Sequence, residues 1–454
     1  MKTDFNPKLI DDFAHYHGFH YDQCDANMVI RDFCTAMDRG LKDQTHSLPM
    51  IPTYLAPKWQ PSTGKKVIAL DVGGTNIRVA RIKFDDTGNH IVEDERKMTF
   101  AMKARTADEF FSTIASFCEP FFDGSVIEGI GFCFSYPMEM TGEGDGVLIS
   151  FSKEMDLVDL IGKPIGKGLC DALSRRKVKV PERIVLLNDT VSTLLCGLCQ
   201  IPARIPSKLA VPGKTLPEKM AADAGPAIGF ILGTGFNIAY CETNIPKINF
   251  ESKTEPQIVI CESGCMEFRY RGPLDLEFDA GTKLPGMSTT EKLMSGAYLG
   301  PLSLHVLKQA VKDGVLRFEK SAELLAMENL ETKDLNALLQ APLVLGGPLG
   351  KLFNSGEDGA LRSLVYIESI LTERAALVAA ASLTAVINHC GCGRDPFSPV
   401  RIAVEGTTFS VYHFLEESLR ARLSSMLNRD SPCYYIMECV EQASLFGAAA
   451  AALF

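Results

Sequence analysis

The chain has no uninterrupted apolar run of the roughly 18 residues that would let a helix span a bilayer. Its opening, Met1, Lys2, Thr3, Asp4, carries neither the basic nor the apolar region of a secretory leader. A cytoplasmic protein with no membrane partner is therefore expected. Basic charge is in deficit too: 46 Lys and Arg stand against 56 Asp and Glu, a formal net charge of -10. That balance repels nucleic acid and anionic lipid, so nucleic acid is not expected as a partner. Regular cysteine spacing is missing. The 14 cysteines are scattered along 454 residues, which fits reduced, mostly buried thiols better than a disulfide framework. The one C-x-x-C, Cys196 and Cys199, has no second pair and reads as core. His15, His17 and His20 cluster with no Cys or Glu at ligand spacing, and they read as a surface helix end rather than a metal site.

Two familiar nucleotide signatures are absent as well. Residues 67–84 (VIALDVGGTNIRVARIKF) contain a glycine turn, but there is no G-x-G-x-x-G opening a helix and no Gly-Lys-Ser/Thr after the glycines. The stretch GKPIGKG at 162–168 fails the second test because Gly168 follows Lys167. What residues 67–84 do contain is an apolar strand, a glycine turn and a second strand with near-alternating apolar residues. Gly73 and Gly74 let successive backbone N–H groups converge on an anion. Thr75 and Asn76 add side-chain donors, Arg78 adds charge, and Asp71 sits where a hydrated Mg²⁺ can be held. An ordinary Gly-Gly hairpin is the competing reading.

The same pattern returns one domain length later. Residues 227–232 are apolar, Gly233, Thr234 and Gly235 make a turn, and 237–242 resume a strand. Two α/β halves of like design are expected, with their two turns meeting at one nucleotide. Helices are expected at 7–15 and 25–42, then an extended proline-marked segment, a helix at 107–117 and strands at 129–136, ended by Pro137, and 146–151. Ser135 at the end of the first and Ser152 and Lys153 after the second supply hydroxyl and ammonium groups to one ligand. The strand at 183–187 runs straight into Asn188, Asp189 and a helix, so Asp189 is either a helix cap or a general base beyond the strand end. Residues 201–226 read as a long loop. Glu262 follows a strand, Glu291 opens a helix over 291–299, and both have cap or surface alternatives. A long helix is expected over 365–387 and a strand over 401–404. The apolar helix of 444–454 is expected to pack against the domain that opens the chain.

Seven segments in order then carry a resemblance: LPMIPTYLAP, IALDVGGTNIRVARI, GFCFSYP, LLNDTVSTLL, GFILGTGFNIAYCE, TEKLMSGAYLG and VEGTT. Together they resemble the hexokinase and glucokinase family over roughly residues 30 to 450. The resemblance implies the actin-like ATPase fold, two RNase-H-like α/β domains with a cleft between them. Residues 1–61 would form a lead-in, 62–187 plus 441–454 the small domain and 188–440 the large one. It implies phosphorylation of glucose, and of related hexoses, at the 6-hydroxyl by MgATP, in a monomer or homodimer. A catalytically weak hexose-sensing protein of the same fold is the alternative. By the match, Asp189 is the base, with Lys153 and Arg78 beside the transferred phosphoryl. Ser135, Ser152, Lys153, Asn188, Asp189, Asn237, Glu262 and Glu291 resemble the sugar set. Asp71 (holding Mg²⁺ through water), Gly73, Gly74, Thr75, Asn76 and Arg78 resemble the first phosphate turn, and Gly233, Thr234 and Gly235 the second. Gly406, Thr407 and Ser444 resemble the adenosine side. The chain departs from the family pattern at 151–155 and at Ser263, on the sugar-pocket wall. It departs again at Glu405, where Asp is usual, and at Phe446, where a basic residue is usual.

Overall fold

Strand, glycine turn, strand is the grammar of both halves of the molecule. A computed structural model of the chain describes residues 5–44, 47–57, 64–73, 76–85, 90–99, 106–136, 138–149, 157–200, 226–248, 256–429 and 431–453. In chain order the strands are β1 (Ile51–Pro52), β2 (Lys66–Val72), β3 (Asn76–Phe84), β4 (His90–Thr99), β5 (Gly129–Phe134), β6 (Met138–Met140), β7 (Gly146–Leu148) and β8 (Ile184–Leu187). They continue with β9 (Ala227–Leu232), β10 (Phe236–Glu242), β11 (Gln257–Ile260), β12 (Val400–Glu405) and β13 (Tyr435–Cys439). The first half forms a five-stranded sheet ordered β4-β3-β2-β5-β8. The second forms a six-stranded sheet ordered β1-β11-β10-β9-β12-β13.

The two sheets are wired alike. In each, a three-stranded antiparallel meander (β2-β3-β4, β9-β10-β11) continues into two parallel strands (β5 and β8, β12 and β13). Parallel neighbours need a crossover, and the helices Ala107–Cys118 and Ile165–Arg175 supply two of them in the first half. This duplicated mixed sheet is the actin-like ATPase architecture expected from the sequence. One strand joins from outside the repeat: Ile51–Pro52 pairs antiparallel with Ile260 and Val259, so the proline-marked segment is stitched to the second sheet.

Two helices lie between the sheets. Asp189–Gln200 and Ala443–Ala451 share one buried apolar layer with Val67, Ala69 and Val185 of the first sheet and Ala227, Ala239 and Ala403 of the second. The terminal helix packs on the opening domain, as its apolar composition implies. The approach is close enough to need glycine. A Cβ at Gly131 of β5 would lie 1.8 Å from the Ala448 carbonyl oxygen, and one at Gly447 would lie 2.0 Å from that of Ser192.

The helix Asp358–Cys390 is long and apolar enough to cross a membrane by length and composition, yet its apolar stretch is almost wholly buried in the fold. It is the core helix of the second half, contacted by the N-terminal helices Pro7–Tyr16 and Ala26–Leu41. Its polar residues have to be answered inside the protein. Arg374 makes a bidentate pair with Asp275 at 2.8 and 2.9 Å, with both side chains 2% exposed. Glu368, fully buried, receives only the Ser303 hydroxyl at 2.7 Å, and its Oε1 has no hydrogen-bond partner among the described residues. Burial pushes its carboxyl from 4.5 up to about 8. The native state thus holds this proton more tightly than the unfolded chain. The stabilising contribution is fully present below pH 4.5 and is lost as pH rises to about 8. Glu368→Gln, which stays neutral, should gain on the parent across that window, by ~3 °C in melting temperature at the upper end. Any fixed cost of the amide cancels when the two proteins are melted at both ends of the window. A difference that does not change with pH would show that Glu368 is ionised in the native state.

Candidate active site

The acidic and amide side chains singled out from the sequence meet at the carboxyl ends of strands, where crevices form in sheets of this kind. Asp71 is the penultimate residue of β2, Ser135 follows β5, Asn188 and Asp189 follow β8, and Glu405 ends β12. Asn237 opens β10, and Glu262 follows β11.

The helix cap at this junction is the residue before Asp189. Asn188 Oδ1 accepts the Val191 N–H at 3.0 Å, so Asn188 caps the helix. Asp189 is the first helical residue, half-buried, with Oδ1 accepting the Thr190 N–H at 2.8 Å. Its charge is felt on three sides. Burial, the Asp189 carboxylate and then Glu291 push Glu262 up to about 7 against its Asn237 hydrogen bond. Burial, Asp189 and then Asp71 do the same to Glu405, also to about 7, against the Thr193 hydroxyl and Arg78. Asp71 is raised by burial and by Asp189, against the Ser444 hydroxyl, Arg78 and Lys97. One aspartate is electrostatically coupled to carboxyl groups drawn from both halves, a feature common at sites that handle protons or cations.

The polar groups around Asn237, Glu262 and Glu291 are fixed by hydrogen bonds. Asn237 Nδ2 donates to Glu262 Oε1 at 3.2 Å, and Asn237 Oδ1 accepts from the N–H groups of Ile238 and Ser263 at 2.8 and 3.1 Å. Glu262 itself has left-handed backbone (φ 55, ψ 52), a conformation of order 1 kcal/mol above the ordinary one for a residue with a Cβ. Glu291 Oε2 accepts the Phe236 N–H at 3.0 Å. A Cβ at Gly264 would lie 2.8 Å from that oxygen, and one at Gly235 3.0 Å, so two glycines make the groove in which this carboxylate rests.

The helix expected over 291–299 is replaced by a single 3-10 turn, Glu291–Leu293, and the helix begins at Leu299. The cause is the second glycine turn. The N–H groups of Gly296 and Ala297 donate to the carbonyls of Gly233 and Thr234 at 2.7 and 3.1 Å, instead of to their own preceding turn. Glu291 therefore serves β10 rather than capping a helix.

The 233–235 turn is held from two further directions. Gly233 N–H donates to the Gly235 carbonyl at 3.0 Å, and the Thr408 hydroxyl to the Gly233 carbonyl at 2.8 Å. Gly406 (φ 128) backs onto it, and a Cβ there would lie 2.3 Å from the Leu232 carbonyl oxygen and 2.7 Å from the Gly233 nitrogen. Beside the turn opens a cavity of about 440 Å³ lined by Thr234, Gly296, Ala297, Thr332, Asn336, Thr407, Thr408 and Tyr412, among others. Gly296 and Ala297 belong to the SGAYLG segment, so a sequence signal for this wall was present. Thr332, Asn336 and Tyr412 carry none: the first two come from the helix Thr332–Gln340 and Tyr412 from the end of the short helix Thr407–Val411.

In the first half, Gly73 N–H donates to the Asn76 carbonyl at 3.1 Å, closing the turn, and Asp71 and Arg78 are cross-strand partners. Arg78 donates to Glu95 at 3.0 Å and to Gln442 at 2.5 Å. Gly74, Thr75, Ser152 and Lys153 lie outside the described residues, as does 201–225 of the long loop. Ser444 and Phe446 lie on the terminal helix Ala443–Ala451. Ser444 donates its hydroxyl to Asp71 at 2.7 Å and takes no part in lining the cavity. Phe446 is buried in the layer between the sheets with its ring against His90, centroids 3.5 Å apart. The Ala-rich helix that carries both is apolar all round, so it presents them to the first sheet.

Comparison with known proteins agrees with this geometry. Two family models described as Hexokinase match residues 227–454 and 13–198. Mouse Hexokinase-1 is 28% identical over 406 residues, 83% of this chain and 39% of the mouse protein. Candida albicans Hexokinase-2 is 28% identical over 343 residues, 70% of this chain and 65% of that one. The Kluyveromyces lactis hexokinase is 26% identical over 440 residues, 88% and 82% of the two chains. This chain thus spans less than half of the mouse relative and about two thirds of the Candida relative. A Schistosoma mansoni hexokinase solved with glucose shares the fold with TM-score 0.73 and 22% identity, covering 98% of this chain and 99% of that one. A second hexokinase crystal structure gives TM-score 0.74 at 21% identity.

Proposed function

We propose that this chain, which belongs to the hexokinase family, transfers the terminal phosphoryl group of MgATP to the 6-hydroxyl of glucose or a related hexose. The observation that carries the reading is the position of Asp189. Asn188 caps its helix, and the charge of Asp189 is coupled to Glu262, of the set Asn237, Glu262 and Glu291 that would recognise hydroxyls, and to Asp71 and Glu405.

Asp189 takes the proton of the 6-hydroxyl as its oxygen attacks phosphorus, and the helix N-terminus favours the carboxylate that does so. Sugar hydroxyls both donate and accept. Glu262 and Glu291 are held as acceptors by groups that are themselves fixed, so an epimer with one hydroxyl displaced would leave a buried carboxylate unanswered. Phosphoryl transfer asks for positioning and positive charge more than for covalent chemistry. The glycine turn at 233–235 takes the phosphates, and Thr407 and the cavity beside Thr234 take the nucleoside.

The donor set suits Mg²⁺. It is all oxygen, and the raised carboxyls of Asp71 and Glu405 are groups whose mutual repulsion a hard cation relieves. Asp71 would hold the ion through water, and the ion would neutralise charge on the bridging phosphate oxygens. A coupled ADP-release assay over glucose, mannose, fructose, galactose and N-acetylglucosamine should show turnover with at least glucose. No release above background with any of them would end the kinase reading.

A further inference from the structure

A second cavity, of about 390 Å³, opens between the helix Ala26–Leu41 and the segment that follows the turn Ser263–Cys265. The helix contributes Asp32, Thr35 and Arg39, the segment contributes Met266, Glu267 and Arg269, and Ser47 joins them. The volume is that of a small-molecule site.

The polar atoms of this lining are partly committed, and what they have left describes a ligand. The Thr35 hydroxyl donates to the Arg31 carbonyl at 2.8 Å and the Ser47 hydroxyl to Met266 Sδ at 3.4 Å, so both oxygens remain as acceptors. Asp32 takes the Tyr270 hydroxyl on Oδ2 at 3.0 Å and keeps Oδ1. Glu267 is an acceptor too. The donors are two guanidinium groups. The Arg39 side chain meets no partner among the described residues, and Arg269 reaches Glu267 only at 3.9 Å, with both of those side chains more than half exposed. Acceptors spread over four side chains call for several separate O–H donors, which a single ammonium group cannot supply. Two guanidinium groups call for an oxyanion.

We propose that this cavity binds a polyhydroxylated organic anion, a sugar acid or a sugar phosphate, and that its occupancy tightens hexose binding. The link is Met266. On the cavity side its sulfur holds the Ser47 hydroxyl. On the other, its carbonyl accepts the Thr290 N–H at 3.3 Å and the hydroxyls of Thr290 and Thr289 at 2.7 and 3.1 Å, and its own N–H donates to the Ser263 carbonyl at 3.2 Å. Thr290 precedes Glu291 and Ser263 follows Glu262, so the groups that fasten Met266 are chain neighbours of both carboxylates assigned to the hexose. The cavity is open in the conformation in which Asn237 holds Glu262 and the Phe236 N–H holds Glu291, and an occupant stabilises that conformation. By linkage, hexose tightens the anion by the same factor. The coupling rests on the assignment of Glu262 and Glu291 to the hexose, whereas the cavity's own ligand set does not.

The test is a calorimetric titration of the full chain with gluconate and with ribose 5-phosphate, without nucleotide or Mg²⁺ and with saturating glucose to keep both out of the cleft. Mannitol and inorganic phosphate, each with half of the required chemistry, are the comparisons. No turnover is needed, so a protein inactive in the ADP-release assay still passes or fails. The expected result is one anion per chain with a millimolar or tighter dissociation constant, and binding of mannitol and phosphate at least about tenfold weaker. The tighter of the two polyol anions tells whether the arginines take a carboxylate or a phosphate. Arg39→Gln and Arg269→Gln should each weaken binding about fivefold, the upper range for an ion pair open to solvent. Both residues are exposed, and circular dichroism checks that the variants are folded. Glucose titrated with and without saturating anion should bind about fivefold more tightly in its presence, the low end of ordinary coupling. Absence of saturable binding by either polyol anion, phosphate binding as tightly as they do, or binding untouched in both variants would overturn the site. A glucose affinity that a bound anion does not move would overturn the coupling.

Discussion

Asp189→Asn should leave a folded protein that binds hexose and barely turns over. Removing a general base typically costs roughly 10² to 10⁴ in rate, about 3 to 5.5 kcal/mol of barrier. Losing one neutral contact to the 6-hydroxyl costs only about 0.5 to 1.5 kcal/mol of binding. The structure removes the usual objection to this variant. The helix cap is Asn188 through its bond to the Val191 N–H, and an amide oxygen at 189 can still accept from Thr190. Stability should hold or rise, because the charge at 189 is one of the groups pushing Glu262 and Glu405 up to about 7, and a neutral amide relieves both. The measurements are kcat by coupled assay, glucose affinity by calorimetry and melting temperature. A folded variant that keeps more than about a tenth of the parent kcat would make Asp189 a spectator.

What made Asp189 legible was the junction: an apolar run ending in Asn-Asp-Thr before a helical pattern can place those side chains only at a strand end. The same logic exposed both glycine turns and the duplicated halves, since strand-turn-strand repeats are local patterns. β4 was not legible. Its sequence, HIVEDERKMT, has no apolar alternation because it is an edge strand held by backbone pairing to β3, with no face committed to the core. The helix wrongly expected at Glu291 fails for a related reason. Its local pattern is helical, but the carbonyls of Gly233 and Thr234, some sixty residues away in the chain, take the N–H groups that a helix would need. The role of Glu405 was half visible. The resemblance marked it as a departure, yet only the fold sets it beside Asp71 and Asp189 and against the Thr193 hydroxyl at 3.0 Å. Nor did any pattern announce Gly264, whose value lies in what a side chain there would strike.

That glycine gives the second large effect. Gly264→Ala should raise the KM for hexose by about 10- to 150-fold and leave the KM for nucleotide within about twofold. The added methyl would lie 2.8 Å from Glu291 Oε2, 3.1 Å from the Phe236 carbonyl oxygen and 3.2 Å from Glu291 Cβ, so the side chain of Glu291 has to move. Moving it breaks the bond from the Phe236 N–H and withdraws a carboxylate from the sugar, and a hydrogen bond to a charged group is worth about 1.5 to 3 kcal/mol. The nucleotide turn should be spared. Gly233 is fastened independently by Gly296 and by the Thr408 hydroxyl, neither of which touches the displaced carboxylate. Gly281→Ala is the control for a general cost of alanine, since the nearest atoms to a Cβ there are 3.4 and 3.8 Å away. Kinetics with each substrate varied in turn separate the outcomes. An unchanged hexose KM in a folded variant would remove Glu291 from the sugar set, and a parallel rise in both KM values would mean that the two turns move as one body.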